Sequence, residues 1–153
     1  MKFTVLGIIA FLFAATIFAA PTTMETVTKQ HPIGLGVMLG APSAVTGQYW
    51  FSPKNSVAAG IAGYFNYVMG YGDYLYHFPQ AFKNPEFSPY VGPGVFISNW
   101  LGGASIGARV TMGAQWFPKK LPVGFFLEIA PGITVIPLAF LHFSGGVGAR
   151  YFF

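Results

Sequence analysis

His142 and Ser144 are the residues of this chain whose types and spacing come nearest to a catalytic site. They are two residues apart, so on a β-strand their side chains point to the same face. Glu128 lies in the preceding segment. A turn centred near residue 135 would set it opposite His142, whereas a turn centred near residue 137 would set it opposite Gly146. Serine, histidine and a carboxylate are the nucleophile, base and orienting acid of many acyl-transfer enzymes. A hydrolase that uses these three residues is therefore one hypothesis.

The same carboxylate has a second interpretation, as a partner of arginine. Arg109 is the only charged residue of segment 105–117, and Glu128 is the only one of segment 123–133. Leaving one member of a buried ion pair without its partner costs about 3–5 kcal/mol. We therefore predict a polar network in which Glu128 pairs with Arg109, and Arg150 or His142 lies nearby. A proton or ion relay is the functional alternative to this structural role.

Other kinds of chemistry are excluded by composition and spacing. The chain has no cysteine, which rules out disulfides, thiolate catalysis and cysteine-ligated metals. His31 and His77 do not form a metal-ligand pattern with His142, and no glycine-rich phosphate loop opens a helix. The eight basic side chains are too few and too scattered for a nucleic-acid surface. We predict a protein that is not an enzyme and has no metal, cofactor or nucleic-acid partner.

The elements that must position these residues are β-strands. In segment 105–117, the even positions from Ile106 to Trp116 are all apolar, and the odd positions from Ser105 to Gln115 are small or polar and include Arg109. Charged residues make up 8% of the chain, against about 25% in a soluble domain. Three uncharged stretches are long enough for membrane helices, but they are dense in glycine and proline and have a period of two. This pattern predicts a transmembrane β-barrel with lipid outside and a polar interior.

About eight strands are expected, joined in an antiparallel up-and-down order. The predicted strands are 33–40, 45–51, 56–66, 73–78, 89–97, 105–117, 123–133 and 139–153. An even number of strands puts both ends of the barrel segment on the periplasmic side. The inner turns then contain Lys54, Lys83, Lys119 and Lys120, while the outer loops contain no lysine or arginine.

The N-terminal region has the features of a targeting segment. Lys2 precedes an uncharged apolar run that ends near Ala20, as in a secretory signal peptide. An uncleaved membrane anchor is the alternative. We predict a signal peptide over 1–19, a short periplasmic segment over 20–32 and the outer-membrane barrel over 33–153.

The barrel interior is expected to be filled. Eight strands enclose a space that side chains can occupy completely. Twelve of the predicted inward positions are glycines, which suggests crowding around bulky inward residues. The large or polar residues predicted to face inward are Gln48, Trp50, Tyr64, Asn66, His77, Tyr90, Phe96, Arg109, Gln115, Glu128, His142, Ser144, Arg150 and Phe152. We predict a plugged lumen, and a narrow pore is the alternative.

Four stretches of the sequence also carry a resemblance to a known family. They are GLGVMLGAPSAVTGQYWFS at 34–52, DYLYHFP at 73–79, FFLEIAPG at 125–132 and GGVGARYFF at 145–153. Together they resemble a family of small, mostly uncharacterised bacterial outer-membrane β-barrel proteins with an eight-stranded, OmpA/OmpX-like membrane barrel. The resemblance covers nearly all of the chain after the predicted leader, and it implies no agreed biochemical activity.

The resemblance implies an assembly signal at the C-terminus. In such proteins the terminal aromatic residue is expected to be read by the outer-membrane barrel assembly machinery, and Phe153, with Tyr151 beside it on the same face, matches that position. An outer-membrane lipid A deacylase family also carries His-x-Ser on a barrel strand, but on the lipid side. Here His142 and Ser144 fall on the inward face, opposite Phe143.

The sequence thus predicts an integral protein of the bacterial outer membrane, surrounded by outer-membrane lipid, with a structural or surface-interaction role. The lipid-modifying hydrolase and the narrow pore are the alternatives. No external ligand or host partner can be identified from the residues.

Overall fold

The structure, a computed structural model, describes residues 28–79, 81–84, 86–99, 102–119 and 121–153. The predicted signal peptide lies outside these residues, as does most of the predicted periplasmic segment. The eight strands are β1 (Ile33–Ala41), β2 (Ser43–Ser52), β3 (Asn55–Tyr64), β4 (Tyr67–His77), β5 (Phe87–Ser98), β6 (Ser105–Trp116), β7 (Val123–Ile136) and β8 (Phe140–Phe152).

Each strand pairs antiparallel with the next one along the chain, and β1 also pairs with β8, which closes the sheet into a barrel. The prediction of an eight-stranded, antiparallel, up-and-down barrel is confirmed. We call the end of the barrel where β1 begins and β8 finishes the terminal end, and the other end the distal end. No helix in the described part of the chain is long and apolar enough to cross a membrane.

The two faces of the sheet have opposite character, as the period of two requires. Outward positions carry large apolar side chains that remain exposed, for example Leu35 at 56%, Ile61 at 68% and Leu127 at 58%. Inward positions bury polar and charged side chains, among them Arg109 and Arg150. This distribution is the reverse of that in a water-soluble domain.

The prediction for β4 was wrong at its start. The strand begins at Tyr67, six residues before the predicted 73, so the predicted loop 67–72 is part of the sheet. The connection from β3 is only the two-residue turn 65–66, in which Phe65 adopts a left-handed φ of 47°. Tyr64 and Asn66 were predicted to face the lumen, but Tyr64 is 67% exposed at the distal end and Asn66 lies in the turn.

Two hydrophobic clusters occupy the two ends of the interior. Trp50, Phe117 and Phe152 form a fully buried group at the terminal end. The cluster at the distal end consists of Met38, Ala44, Ala62, Met69, Tyr71, Phe96 and Phe126. The predicted charged network lies between the two clusters.

Candidate functional site in the barrel interior

Arg109 is held mainly by an acid that sequence reasoning missed. Its Nε donates to Oδ1 of Asp73 at 2.8 Å, and its Nη2 donates to Oδ2 of the same carboxylate, so the pair is bidentate. Both side chains are about 1% exposed. The guanidinium also lies 4.0 Å from the centre of the Tyr71 ring. Planar two-point pairing of this kind is the strongest form of an ion pair between these residue types.

The predicted strand 73–78 begins at Asp73, and its alternation was not followed back to assign this carboxylate to the inward face. The predicted network therefore pairs Arg109 with Glu128 and leaves Asp73 out. The signal was present in the sequence, because positions 67, 69, 71, 73, 75 and 77 alternate with smaller or outward residues. Extending the alternation back from His77 would have placed Asp73 on the inward face.

Glu128 lies close to Arg109 but is not its main partner. Its Oε1 is 3.7 Å from Nη2 of Arg109, and its Oε2 accepts a hydrogen bond from the Tyr90 hydroxyl at 3.0 Å. The structure thus brings the predicted residues Arg109 and Glu128 within ion-pair distance, with Asp73 as the third member.

Arg150 is separate from this group. Its Nη2 donates to Oγ1 of Thr46 at 2.9 Å and its Nη1 donates to Oε1 of Gln48 at 3.3 Å. The guanidinium lies 3.8 Å from the centre of the Phe126 ring. Among the described residues, no carboxylate lies within ion-pair distance of Arg150. Neutral acceptors and an aromatic face therefore hold this cation.

These contacts share one geometric device, an inward glycine on the strand between the two partners. Asp73 and Arg109 both pair in register with Gly94 on β5. Tyr90 and Glu128 flank Gly113 in the same way, and a Cβ at Gly113 would lie 2.7 Å from the Tyr90 hydroxyl. The missing side chain leaves a gap through which partners two strands apart can meet.

Arg150 and Thr46 also follow this rule. They flank Gly36 on β1. A side chain at this position would meet the β8 backbone at Arg150, so the crowding that the glycines predict is seen in the packing.

His142 and Ser144 do not form a catalytic arrangement with Glu128. The last hairpin sets Glu128 opposite Gly146, which is the second of the two registers that the spacing allows. Ser144 Oγ accepts from Arg109 Nη1 and donates to the Ala130 carbonyl, both at 3.3 Å. The His142 ring stacks on Phe96 with centroids 4.5 Å apart. No hydrogen bond among the described residues joins these three side chains.

A second serine–histidine pair, formed by Ser56 and His77, lies nearer the terminal end. Ser56 Oγ is 2.8 Å from Nε2 of His77, and both residues are fully buried. The His77 ring packs 4.1 Å from Trp50. The described residues also contain no group of three or more His, Asp or Glu that could hold a metal ion.

The terminal end carries the predicted assembly residues. The Tyr151 and Phe153 rings lie 4.9 Å apart, and the backbone N–H of Phe153 donates to the Ile33 carbonyl at 2.8 Å. The turns at this end contain Lys54, Lys83 and Lys119, while Lys120 lies outside the described residues. Nζ of Lys119 is 3.5 Å from Oε1 of Glu86, whose Oε2 accepts from Trp116 Nε1.

Comparison with known proteins supports the fold and no finer assignment. No protein-family model matches the chain, and no curated protein matches it. Among solved structures, the chain is similar to the N-terminal β-barrel domain of Pseudomonas aeruginosa OprF, with a TM-score of 0.60 and 14% sequence identity. The match covers 79% of this chain and 95% of the OprF chain. The protein therefore has the eight-stranded β-barrel fold of the outer-membrane type, as seen in OprF.

Proposed function

We propose that the protein is an integral outer-membrane β-barrel with a side-chain-plugged lumen and a structural or surface-interaction role. The observation that carries the proposal is the reversed distribution of polarity. Large apolar side chains such as Leu39, Val95 and Leu141, at 67%, 62% and 81% exposure, cover the outside, while Arg109, Glu128 and Arg150 are buried. Water does not favour such an exterior, whereas a lipid bilayer does.

Aromatic residues at the terminal end support the same environment. Trp116 stacks between Phe87 and Phe125 on the outward face, with centroid distances of 6.2 and 5.7 Å. Tyr151 and Phe153 extend the aromatic group. Such rings are typical of the level where a barrel leaves the hydrocarbon and enters the polar interface.

Three layers of side chains argue for a plug and against a pore. The Trp50, Phe117 and Phe152 cluster fills the terminal end, and each of its members is at most 1% exposed. The Arg109–Asp73 ion pair lies across the middle of the lumen, and the second apolar cluster lies on its distal side. An ion would have to pass all three layers.

The topology follows from the positions of the lysines. With the start of β1 and the end of β8 on the periplasmic side, the lysine-bearing turns of the terminal end face the periplasm. The lysine-free distal turns face the cell exterior. We further propose that outer-membrane lipid surrounds the barrel and that the assembly machinery inserts it, with Phe153 as part of the signal.

The hydrolase alternative receives no support from the contacts of Ser144, which are with Arg109 and Ala130.

Membrane fractionation combined with a conductance measurement tests this function. The protein should sediment with the outer-membrane fraction, resist extraction by carbonate and show no steady conductance in planar bilayers. Recovery in the soluble periplasmic fraction would contradict the membrane assignment. Reproducible ion conductance would contradict the plug and favour the narrow pore.

A further inference from the structure

The distal end of the barrel contains a cup that the charged network does not use. Its volume is about 480 Å³, within the range of about 300–1,000 Å³ that is usual for small-molecule sites. Tyr64 and Phe140 stand at the rim, and Ser98, Thr134 and His142 lie on the wall. Both rim residues are largely exposed, at 67% and 60%.

The cup is closed at its base. Tyr67, which lines it, packs on the buried distal cluster that contains Met38 and Met69. Phe96 of the same cluster stacks against the His142 ring. Below this layer lies the Arg109 ion pair, so the cup ends blindly and suits binding more than passage.

The lining selects the charge of a ligand. No charged side chain in the described part of the chain lines the cup. A charged ligand would lose its hydration there without gaining an opposite charge, which is unfavourable. Most of the lining is apolar, and aromatic rings are prominent in it. A small uncharged ring compound fits these conditions.

One polar atom of the lining indicates that the ligand carries a hydroxyl group. Nε2 of His142 is buried and has no hydrogen-bond partner among the described residues. A buried nitrogen of this kind costs free energy unless a partner reaches it. A hydroxyl group can both donate and accept, so it can pair with this nitrogen in either tautomer of the ring. Ser98 and Thr134 also line the cup.

We propose that the cup binds small, uncharged aromatic alcohols, with the ring of the ligand against the aromatic rim and its hydroxyl hydrogen-bonded to Nε2 of His142, whose ring turns against Phe96 to bring this nitrogen to the cup surface. This goes beyond the proposed function, because neither the fold nor the membrane location requires a ligand. Only the direction in which the cup opens depends on the proposed topology, and the binding measurement below does not depend on it.

The test compares phenol with toluene, which lacks the hydroxyl. The full chain is folded in phosphatidylcholine nanodiscs, and the amide resonances of Ser98, Thr134 and His142 are followed by NMR. Phenol should shift them saturably and bind more tightly than toluene. In His142→Phe, which keeps a ring beside Phe96, the preference for phenol should fall about five- to tenfold, the effect of one lost hydrogen bond.

A second variant keeps the test decisive if His142→Phe does not fold. Thr134→Val removes a wall hydroxyl at nearly constant volume and should also weaken phenol more than toluene. Leu138→Ala, an exposed residue at the same end but outside the cup, is the control and should change neither affinity. Phenol shifts confined to outward residues, an unchanged preference in the folded variants, or tighter binding of methyl glucoside than of phenol would overturn the proposal.

Discussion

Individual residues in this barrel are paired across glycines. A long inward side chain on one strand meets its partner two strands away, and the strand between contributes no side chain at that level. Asp73 and Arg109 show this at Gly94, where a Cβ would collide with the Asp73 carboxylate. Glycine weakens a strand, so its use here is explained by the space that the polar network needs.

Removal of Asp73 should cost more stability than removal of Glu128. Asp73→Ala leaves Arg109 buried without its bidentate partner and should lower the free energy of unfolding by about 3–5 kcal/mol. Glu128→Ala breaks one longer contact with Arg109 and one hydrogen bond from Tyr90, and should cost about 1–3 kcal/mol. Urea unfolding of each variant in detergent measures both values.

Double-mutant cycles separate the two pairs. Coupling of Arg109 with Asp73 should exceed its coupling with Glu128. The double variant Arg109→Leu with Asp73→Leu should recover part of the unfolding free energy lost in Asp73→Ala, because neither member of the closest pair then remains as an unpaired buried charge. Equal coupling energies, or strict additivity for Asp73, would show that the bidentate pair does not dominate.

Glycine at position 94 should be required for this pairing. Gly94→Ala places a methyl group against the Asp73 carboxylate and should destabilise the barrel by about 1–3 kcal/mol. Gly72→Ala is a matched control on the neighbouring strand, because a Cβ there meets nothing within 4 Å. A similar, small effect of both changes on urea unfolding would contradict the crowding argument.

At the scale of elements, the alternation of inward and outward side chains predicts where strands run. It does not predict the length or backbone conformation of the turns between them. β4 begins at Tyr67 because the inward series of Tyr67, Met69 and Tyr71 continues the strand through Gly70 and Gly72. The two glycines face outward and leave the ladder intact. The turn before β4 is consequently short, with Phe65 in the left-handed region.

The order of the strands predicts which lysines reach the cell surface. Lys54, Lys83 and Lys119 lie in turns at the terminal end, so a membrane-impermeant amine reagent should not modify them in intact cells. Asn66→Lys introduces a lysine into a distal turn and should be labelled without permeabilisation. Mass spectrometry of peptides from intact and permeabilised cells measures this. Labelling of Lys119 in intact cells, or protection of the residue introduced at 66, would reverse the proposed topology.

At the scale of the whole molecule, closure depends on the two strands that are farthest apart in sequence. β1 and β8 pair from Gly34–Phe152 to Ala41–Gly145. The final residue extends this seam, because the Phe153 N–H donates to the Ile33 carbonyl. Phe153 thus takes part in closure as well as in the proposed assembly signal.

Deletion of Phe153 should reduce the amount of folded barrel in the outer membrane. The deletion removes both the seam hydrogen bond and the terminal aromatic ring, and a charged C-terminal tail should have a similar effect. Phe153→Tyr keeps an aromatic ring and the backbone bond, and should be close to wild type. Heat-modifiable gel mobility and membrane yield report the outcome. Normal yield of the deletion variant would argue against a role for Phe153 in assembly.

The sequence by itself determined the class of fold, the number of strands and the face on which nearly every residue lies. These properties depend on local alternation, because neighbouring side chains of a strand always point to opposite faces. The inward positions of Arg109, Glu128, His142 and Arg150 could be predicted for this reason.

Only the tertiary structure decided which inward residues meet. The spacing of the last hairpin allowed two registers. The observed register sets Glu128 opposite Gly146 and away from His142, so the three residues lack the geometry that the catalytic hypothesis requires. Arg109 bonds Asp73, which is 36 residues away and two strands distant. Such contacts depend on the register of several hairpins, on the glycine between the partners and on barrel closure. None of these three conditions is contained in the period of a single strand.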